Sequence, residues 1–426
     1  MRVYVEAFGC TQNQGEGAAI GRALTARGHE LVPEARGSDA AVLVSCGVIG
    51  PTETRMVARW RTLAASAPRL LVTGCLVPLR TELFDGPARA RTTFVPIREQ
   101  ARIPELLGTT DLPPHSGALP MAAPGPGRLV EELVVAQGCT SGCAYCFSRL
   151  ARGTLRSVPA EELDERLAAA VGRGAREVRL TGLDTAAWGA DLPGRARLPE
   201  LVTRLAPRLG PARLRVGMMS PQSLAPFAEA YASALAAPGV FRFVHLPVQS
   251  GSDAILSAMH RGYLVHEFRR QVDLLRSRVA ELHVATDVIV GFPGETEDDA
   301  RATEELVERV GPETVNVTRF SARPGTAAAR LPPLAPRLAR DRSRRLASLR
   351  HRVARERLER WIGERRRARV MEYGPGGSAM ARLDNYLPVV LSQRPPLGAD
   401  VDVRIDGARS TYLLGEAVDL HPGERL

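Results

Sequence analysis

Three cysteines on one short loop constrain this chain more than any other feature. In Gln137-Gly138-Cys139-Thr140-Ser141-Gly142-Cys143-Ala144-Tyr145-Cys146-Phe147 they stand at spacing C-x3-C-x2-C, directly after the apolar run Leu133-Val134-Val135-Ala136. Thiolates so spaced can hold a metal or a cluster, and their number is informative. A closed structural zinc site wants four ligands, commonly as paired C-x2-C knuckles. No histidine or fourth cysteine follows closely here. A cubane iron–sulfur cluster held by three cysteines keeps one iron open to a ligand from outside the protein.

The other cysteines repeat the theme at longer range. In residues 1–108 the strand-like runs Val3–Ala7, Ala40–Val44 and Leu70–Thr73 alternate with the helix-like runs Gly17–Arg27 and Thr52–Ala65. That alternation predicts an open parallel-sheet α/β domain. Cys10 follows Phe8-Gly9, Cys46 follows Val44-Ser45, and Cys75 follows Thr73-Gly74, each just past the carboxyl end of a predicted strand. Those ends share the sheet edge where ligands bind, so thiols far apart in sequence can converge. Scattered cysteines are ordinarily no more than small buried side chains. Equivalent topological positions argue instead for a second set, and the six cysteines divide into three plus three.

At 426 residues the chain predicts two to three domains with large cores. No apolar stretch is long enough to cross a bilayer. The start, Met1-Arg2-Val3-Tyr4-Val5-Glu6, runs straight into a strand pattern rather than a signal-peptide plan. A cytoplasmic protein is expected, which suits reduced thiols. The net charge of +10 favours a polyanionic partner. The inference is weakened by composition: the chain has no lysine and is rich in Arg, Ala, Gly and Pro, as high-GC coding would make it.

Residues 109–128 form a Pro/Gly-rich linker by composition. Over 129–361, strand-like Leu129–Ala136 leads into the cysteine loop, the basic stretch Arg152-Gly153-Thr154-Leu155-Arg156-Ser157 and an amphipathic helix at Glu161–Gly172. Five more strand runs each end in a distinctive loop. Val178–Leu180 precedes Thr181-Gly182-Leu183-Asp184-Thr185, and Leu214–Gly217 precedes Met218-Met219-Ser220-Pro221. Phe243–Leu246 precedes Pro247-Val248-Gln249-Ser250-Gly251-Ser252. Leu282–Val290 precedes Gly291-Phe292-Pro293-Gly294-Glu295-Thr296, and Val315–Val317 precedes Thr318-Arg319-Phe320-Ser321. A partial (β/α)6 barrel follows, with its motifs on the rim where barrel enzymes keep their sites. Taken singly, each Gly/Pro loop is a plain turn. His245 and His260 fit packing or hydrogen-bonding roles.

Leu334–Trp361 reads as a helix crowded with arginine, with Leu338, Leu346, Leu349, Val353 and Leu358 as its apolar stripe. Such a run is either a solvated face or a set of phosphate contacts. Residues 362–426 then show short strand runs, Ala368–Tyr373, Ser378–Arg382, Pro388–Leu391, Ala399–Ile405 and Ser410–Gly415, that predict a small β-barrel. Tyr386 is placed to stack on a base, and Arg369, Arg382 and Arg404 to meet phosphates.

The loop holding Cys139, Cys143 and Cys146, with an aromatic before the last cysteine, resembles the signature of radical S-adenosylmethionine enzymes. With Phe8-Gly9-Cys10-Thr11-Gln12-Asn13, Ser45-Cys46-Gly47-Val48, Thr73-Gly74-Cys75 and the TRAM-like Arg382-Leu383-Asp384-Asn385-Tyr386-Leu387-Pro388-Val389, the chain resembles the methylthiotransferases. It is most similar to the archaeal and eukaryotic branch acting on N6-threonylcarbamoyladenosine in tRNA. The resemblance implies two [4Fe-4S] clusters, one on Cys139, Cys143 and Cys146 and an auxiliary one on Cys10, Cys46 and Cys75. It implies two molecules of S-adenosylmethionine per turnover, one giving a methyl group and one a radical that activates a C–H bond for sulfur insertion. By the same resemblance Tyr145, Phe147, Gly182, Asp184, Gln249, Gly291 and Pro293 bind the cofactor. Partners so implied are tRNA and an electron donor such as flavodoxin or ferredoxin, with the enzyme a monomer. Gly15, Gly17, Ile49-Gly50 and Leu183 depart from the family pattern. They leave room for a protein or peptide substrate; a non-catalytic cluster-bearing RNA-binding protein is disfavoured by the intact loop.

Overall fold

Alternating apolar runs and helix formers give the amino-terminal layer its form. The computed structural model describes residues 1–108 and 128–420, so nearly all of the expected linker at 109–128 lies outside the described residues. Strands β1 (Arg2–Ala7), β2 (Glu30–Leu31), β3 (Ala40–Ser45), β4 (Arg69–Gly74) and β5 (Thr92–Phe94) make a parallel sheet ordered β2-β1-β3-β4-β5. Strand β3 is buried at every position, as a central parallel strand covered on both faces must be. Its Val42 and Val44 pack with Ile20 and Leu24 of helix α1 (Thr11–Ala26). Ala41 and Leu43 pack on the other face with Met56, Trp60 and Leu63 of α2 (Gly50–Ser66). The edge strands β2 and β5 are too short to show in the sequence pattern.

Past Arg128 the chain forms β6 (Val130–Val134), and the predicted Leu129–Ala136 strand divides here. Residues Ala136–Gln137 are a separate strand, β7, paired antiparallel with β8 (Arg156–Ser157). This two-residue ladder clasps the cysteine loop at its base. Strands β9 (Glu177–Thr181) and β10 (Arg213–Val216) extend β6 into one parallel sheet. β11 (Phe243–His245), β12 (His283–Val290) and β13 (Thr314–Arg319) make another. Parallel bridges Leu214↔Val240 and Met218↔His245 join the two into an arc of six strands, an open barrel with its core on the inner and helix-facing sides.

The arginine helix spans Pro336–Glu359, and several of its arginines pair with carboxylates of the core domain. Arg342 is buried and bonds Glu295 at 2.8 Å and Glu297 at 3.3 Å. Arg345 reaches Glu304 at 3.0 Å, Arg352 reaches Glu308 at 2.6 Å, and Arg357 reaches Glu313 at 2.6 Å. Arg342, Arg345 and Arg352 staple the helix to its neighbour Glu297–Val310, while Arg357 reaches Glu313 just beyond it. Then β14 (Arg365–Tyr373), β15 (Ala379–Leu383), β16 (Pro388–Leu391), β17 (Asp400–Ala408) and β18 (Leu413–Leu420) close a barrel in the order β14-β15-β16-β18-β17. β18 begins later than the Ser410–Gly415 run because Arg409 and Tyr412 close the turn that precedes it.

Two expectations for this barrel are corrected by how it docks. Arg369 does not face solvent. It is buried, bonds Asp400 at 2.8 and 2.9 Å and donates to the carbonyls of Arg176 and Pro211 in the core domain. Tyr386 does not await a base either. Its ring lies 4.9 Å from Phe241 and 5.1 Å from Phe243, and its hydroxyl donates to Glu177 at 2.9 Å. Both residues bind the barrel to the rest of the molecule. No helix among the described residues is long and apolar enough to cross a membrane.

Candidate active site between two cysteine sets

The sheet edge predicted for Cys10, Cys46 and Cys75 exists. Cys10 follows β1 and caps α1, Cys46 follows β3, and Cys75 follows β4, all on one side of adjacent parallel strands. Close approach is built in at Gly9, where a Cβ would fall 2.5 Å from Cys46 Sγ. Cys46 and Cys75 are buried while Cys10 is exposed. The second set sits on the clasped loop. The Ser141 N–H donates to Cys139 Sγ at 3.3 Å, the Arg149 N–H to Cys146 Sγ at 3.4 Å, and Arg261 Nη1 to Cys143 Sγ at 3.1 Å. Donors aimed at sulfur favour the thiolate and tune any cluster it ligates.

Among the described residues no three His, Cys, Asp or Glu side chains converge as a single-ion site requires. A cubane makes no such demand, because each thiolate takes a different iron corner. Neither cysteine set forms a closed single-ion site among the described residues. Burial pushes the Cys75 thiol up to about 12 and the Cys146 thiol up to about 11, and raises Cys46 and Cys139 for the same reason. Ligation here must release protons.

Between the sets lies a cavity of about 440 Å³, lined at once by Cys10 and by Cys139, Cys143 and Cys146. Its walls are mostly apolar, with Val48, Ile49, Leu183, Met218, Met219 and Phe320 prominent. Of the residues expected to bind cofactor, Tyr145, Phe147, Asp184 and Gln249 line it. Gln249 holds a left-handed backbone at φ 70° and a buried side-chain oxygen with no hydrogen-bond partner among the described residues. Asp184 is fully buried. Each of its oxygens accepts one bond, from the Ser220 N–H at 3.0 Å and the Ser223 hydroxyl at 2.6 Å, and burial raises its pKa. Gly182, Gly291 and Pro293 are outside the cavity lining. The Gly291 N–H donates to Glu295 at 3.0 Å, beneath the arginine helix.

Sequence reasoning missed the buried network behind the cavity. Arg152, six residues past Cys146, pairs with Glu16 and bonds Asn13 at 2.6 Å and Gln137 at 2.7 Å. Gln12 and Gln137 bond each other at 2.9 Å. Burial alone would lower the Arg152 pKa, but Glu16, Cys75 and Cys10 outweigh it and hold it above its usual value. A buried cation thus stands beside the first cysteine set, anchored to the loop that carries the second. Arg323 adds a second tie, pairing with Glu53 and lying 4.5 Å over the Phe147 ring.

Comparison with known proteins agrees with this geometry. Residues 133–307 match the Radical SAM superfamily, 2–90 an uncharacterized protein family, UPF0004, and 359–418 the TRAM domain. A radical S-adenosylmethionine methyltransferase, TsrM from Kitasatospora setae, shares the fold at TM-score 0.56 and 14% identity, over 77% of this chain and 73% of that one. Fold and loop thus define a radical S-adenosylmethionine protein. A Pyrococcus horikoshii protein described as a probable threonylcarbamoyladenosine tRNA methylthiotransferase is 33% identical over 98% of this chain and 100% of its own. The human threonylcarbamoyladenosine tRNA methylthiotransferase is 29% identical over 98% of this chain and 74% of its own. The chain belongs to the threonylcarbamoyladenosine tRNA methylthiotransferase family.

Proposed function

We propose that the chain inserts a methylthio group at C2 of N6-threonylcarbamoyladenosine next to the tRNA anticodon. The observation that carries this is the single cavity faced by Cys10 from one cysteine set and by Cys139, Cys143 and Cys146 from the other. On this reading each set holds a [4Fe-4S] cluster. Two molecules of S-adenosylmethionine supply the methyl group and the radical that removes the C2 hydrogen, and a flavodoxin or ferredoxin supplies the electron. The protein's own part is placement. The clasp of β7 with β8 fixes the loop, Gln249 offers an acceptor to the cofactor, and apolar walls keep water from a reactive carbon. We place the enzyme in the cytoplasm, as a monomer, where its tRNA is. The relatives act, by their descriptions, on tRNA, which favours a nucleoside over a protein or peptide.

The test is reconstituted enzyme with reductant and S-adenosylmethionine, given tRNA and followed by nucleoside mass analysis. A methylthio mass gain on the hypermodified adenosine is expected. A Cys10→Ala/Cys46→Ala/Cys75→Ala variant should still cleave the cofactor but add no sulfur. Methylthiolation by that variant would remove the second cluster from the proposal.

A further inference from the structure

Four guanidiniums line the cavity: Arg149, Arg261, Arg319 and Arg323. Two are already engaged. Arg261 donates to Cys143 Sγ and to the hydroxyls of Ser220 at 3.3 Å and Tyr263 at 3.1 Å. Arg323 has Glu53 and the Phe147 ring. Arg149 and Arg319 differ. Neither guanidinium has a hydrogen bond, ion pair or ring contact among the described residues, and Arg149 Nε is shut off from solvent with no acceptor.

The cavity's own carboxylates do not answer them. Asp184 is held by Ser220 and Ser223, and Asp287 by His245 at 2.8 Å and Asn316 at 2.7 Å. Arg149 is half-buried and Arg319 exposed, and only their backbones are held by regular elements. Arg149 lies on the short helix Phe147–Arg152 that follows the cysteine loop, and Arg319 ends β13. Two arginines without a carboxylate partner on one mostly apolar cavity leave it a place for an anion. A guanidinium there gains most from a carboxylate, whose two oxygens match its fork.

We propose that Arg149 and Arg319 form the subsite for the carboxylate of the substrate's N6 arm, so that the cavity selects an adenosine with an anionic arm over one with a neutral arm. This rests on the methylthiolation of threonylcarbamoyladenosine proposed above. C2 and C6, the carbon that carries N6, flank N1 on the same edge of adenine. A base that turns C2 toward the cysteines therefore runs its N6 arm along the same wall. The two arginines are specificity residues that touch the arm and take no part in the reacting bond.

The experiment uses anticodon stem-loops identical except at the target base, which carries the threonylcarbamoyl arm as the free acid or as its neutral methyl ester. Binding to the cluster-loaded enzyme is measured with both, alongside methylthio product. The wild type should bind the acid at least about tenfold more tightly than the ester, the range of charge-assisted hydrogen bonds. Arg149→Gln and Arg319→Gln should each shrink that ratio toward one while leaving ester binding within about twofold. Because the readout is a ratio, partial misfolding of one variant does not imitate it. A wild type blind to the difference overturns the subsite, as do variants that weaken acid and ester equally, the signature of a phosphate contact. Failure of the underlying reading looks different: cofactor cleavage with no methylthio product on either stem-loop.

Discussion

Arg152 shows what a single side chain can decide in this molecule. It is fully shielded, and Glu16 and Asn13, two of its three partners, come from across the domain boundary. Removing one partner of a buried pair strands the other charge, at a cost of about 3–5 kcal/mol. Arg152→Met should lower unfolding free energy by roughly that amount in denaturant titration. Adding Glu16→Leu should restore most of the loss, since an apolar pair of similar volume is tolerated. A double variant no more stable than Arg152→Met would show that the pair does something other than neutralise itself. Nothing in the sequence announced this pair, because no local spacing links residues 136 positions apart. Cysteines were easier. Each follows its own strand, so a local pattern placed all of Cys10, Cys46 and Cys75 on one edge. Tyr386 failed for the opposite reason: its residue type suggested stacking on RNA, while its left-handed backbone and its fit against Phe241 and Phe243 exist only in the folded chain.

Helix α1 carries the same lesson at the scale of an element. From sequence, Gly15 and Gly17 were departures from a family pattern and pointed toward a different substrate. In the structure they are where α1 is squeezed between two domains. A Cβ at Gly17 would fall 2.7 Å from Ala7 Cβ on β1, and one at Gly15 would fall 3.0 Å from Glu132 Cβ on β6. Glycine lets the helix lie close enough for Gln12, Asn13 and Glu16 to meet Gln137 and Arg152. An alanine would ordinarily help a helix by up to about 1 kcal/mol. At Gly17 overpacking should dominate, and Gly17→Ala should destabilise the protein by about 1–3 kcal/mol. It should also tilt the two cysteine sets apart, so methylthio insertion should fall further than cofactor cleavage. Equal losses in both, measured on the same preparation, would mean that α1 does not set their alignment. Elements with clean periodicity, such as β3 and α2, were legible; the split of β6 from β7 was not, because an unbroken apolar run hides a change of partner.

At the scale of the whole molecule, the carboxy-terminal barrel is held against the core by polar contacts that sequence reading had assigned to RNA. His283, at the start of β12, sits in this seam, with Nε2 2.9 Å from Thr314 Oγ1 and its ring 5.0 Å from Phe243. Arg215, Arg382, Tyr386 and Glu313 share the cleft around it. Burial lowers its pKa to about 4; Glu313 opposes that shift, while Arg382 and Arg215 add to it. When the seam opens, the imidazole regains water and its ordinary value near 6.5. Between those values the open state binds a proton that the closed state refuses, so closure is fully favoured above pH 6.5 and weakens as pH falls toward 4. The slope approaches about 1.4 kcal/mol per pH unit, and ~3 kcal/mol across the window. Amide exchange at Asp384–Leu387 and His283–Ala285 should therefore accelerate on acidification more in the wild type than in His283→Gln, which has no proton to gain. Comparing the two proteins at each pH cancels the intrinsic pH dependence of exchange. The same acid response in both would place the weak point of the seam elsewhere, at the Arg369–Asp400 pair.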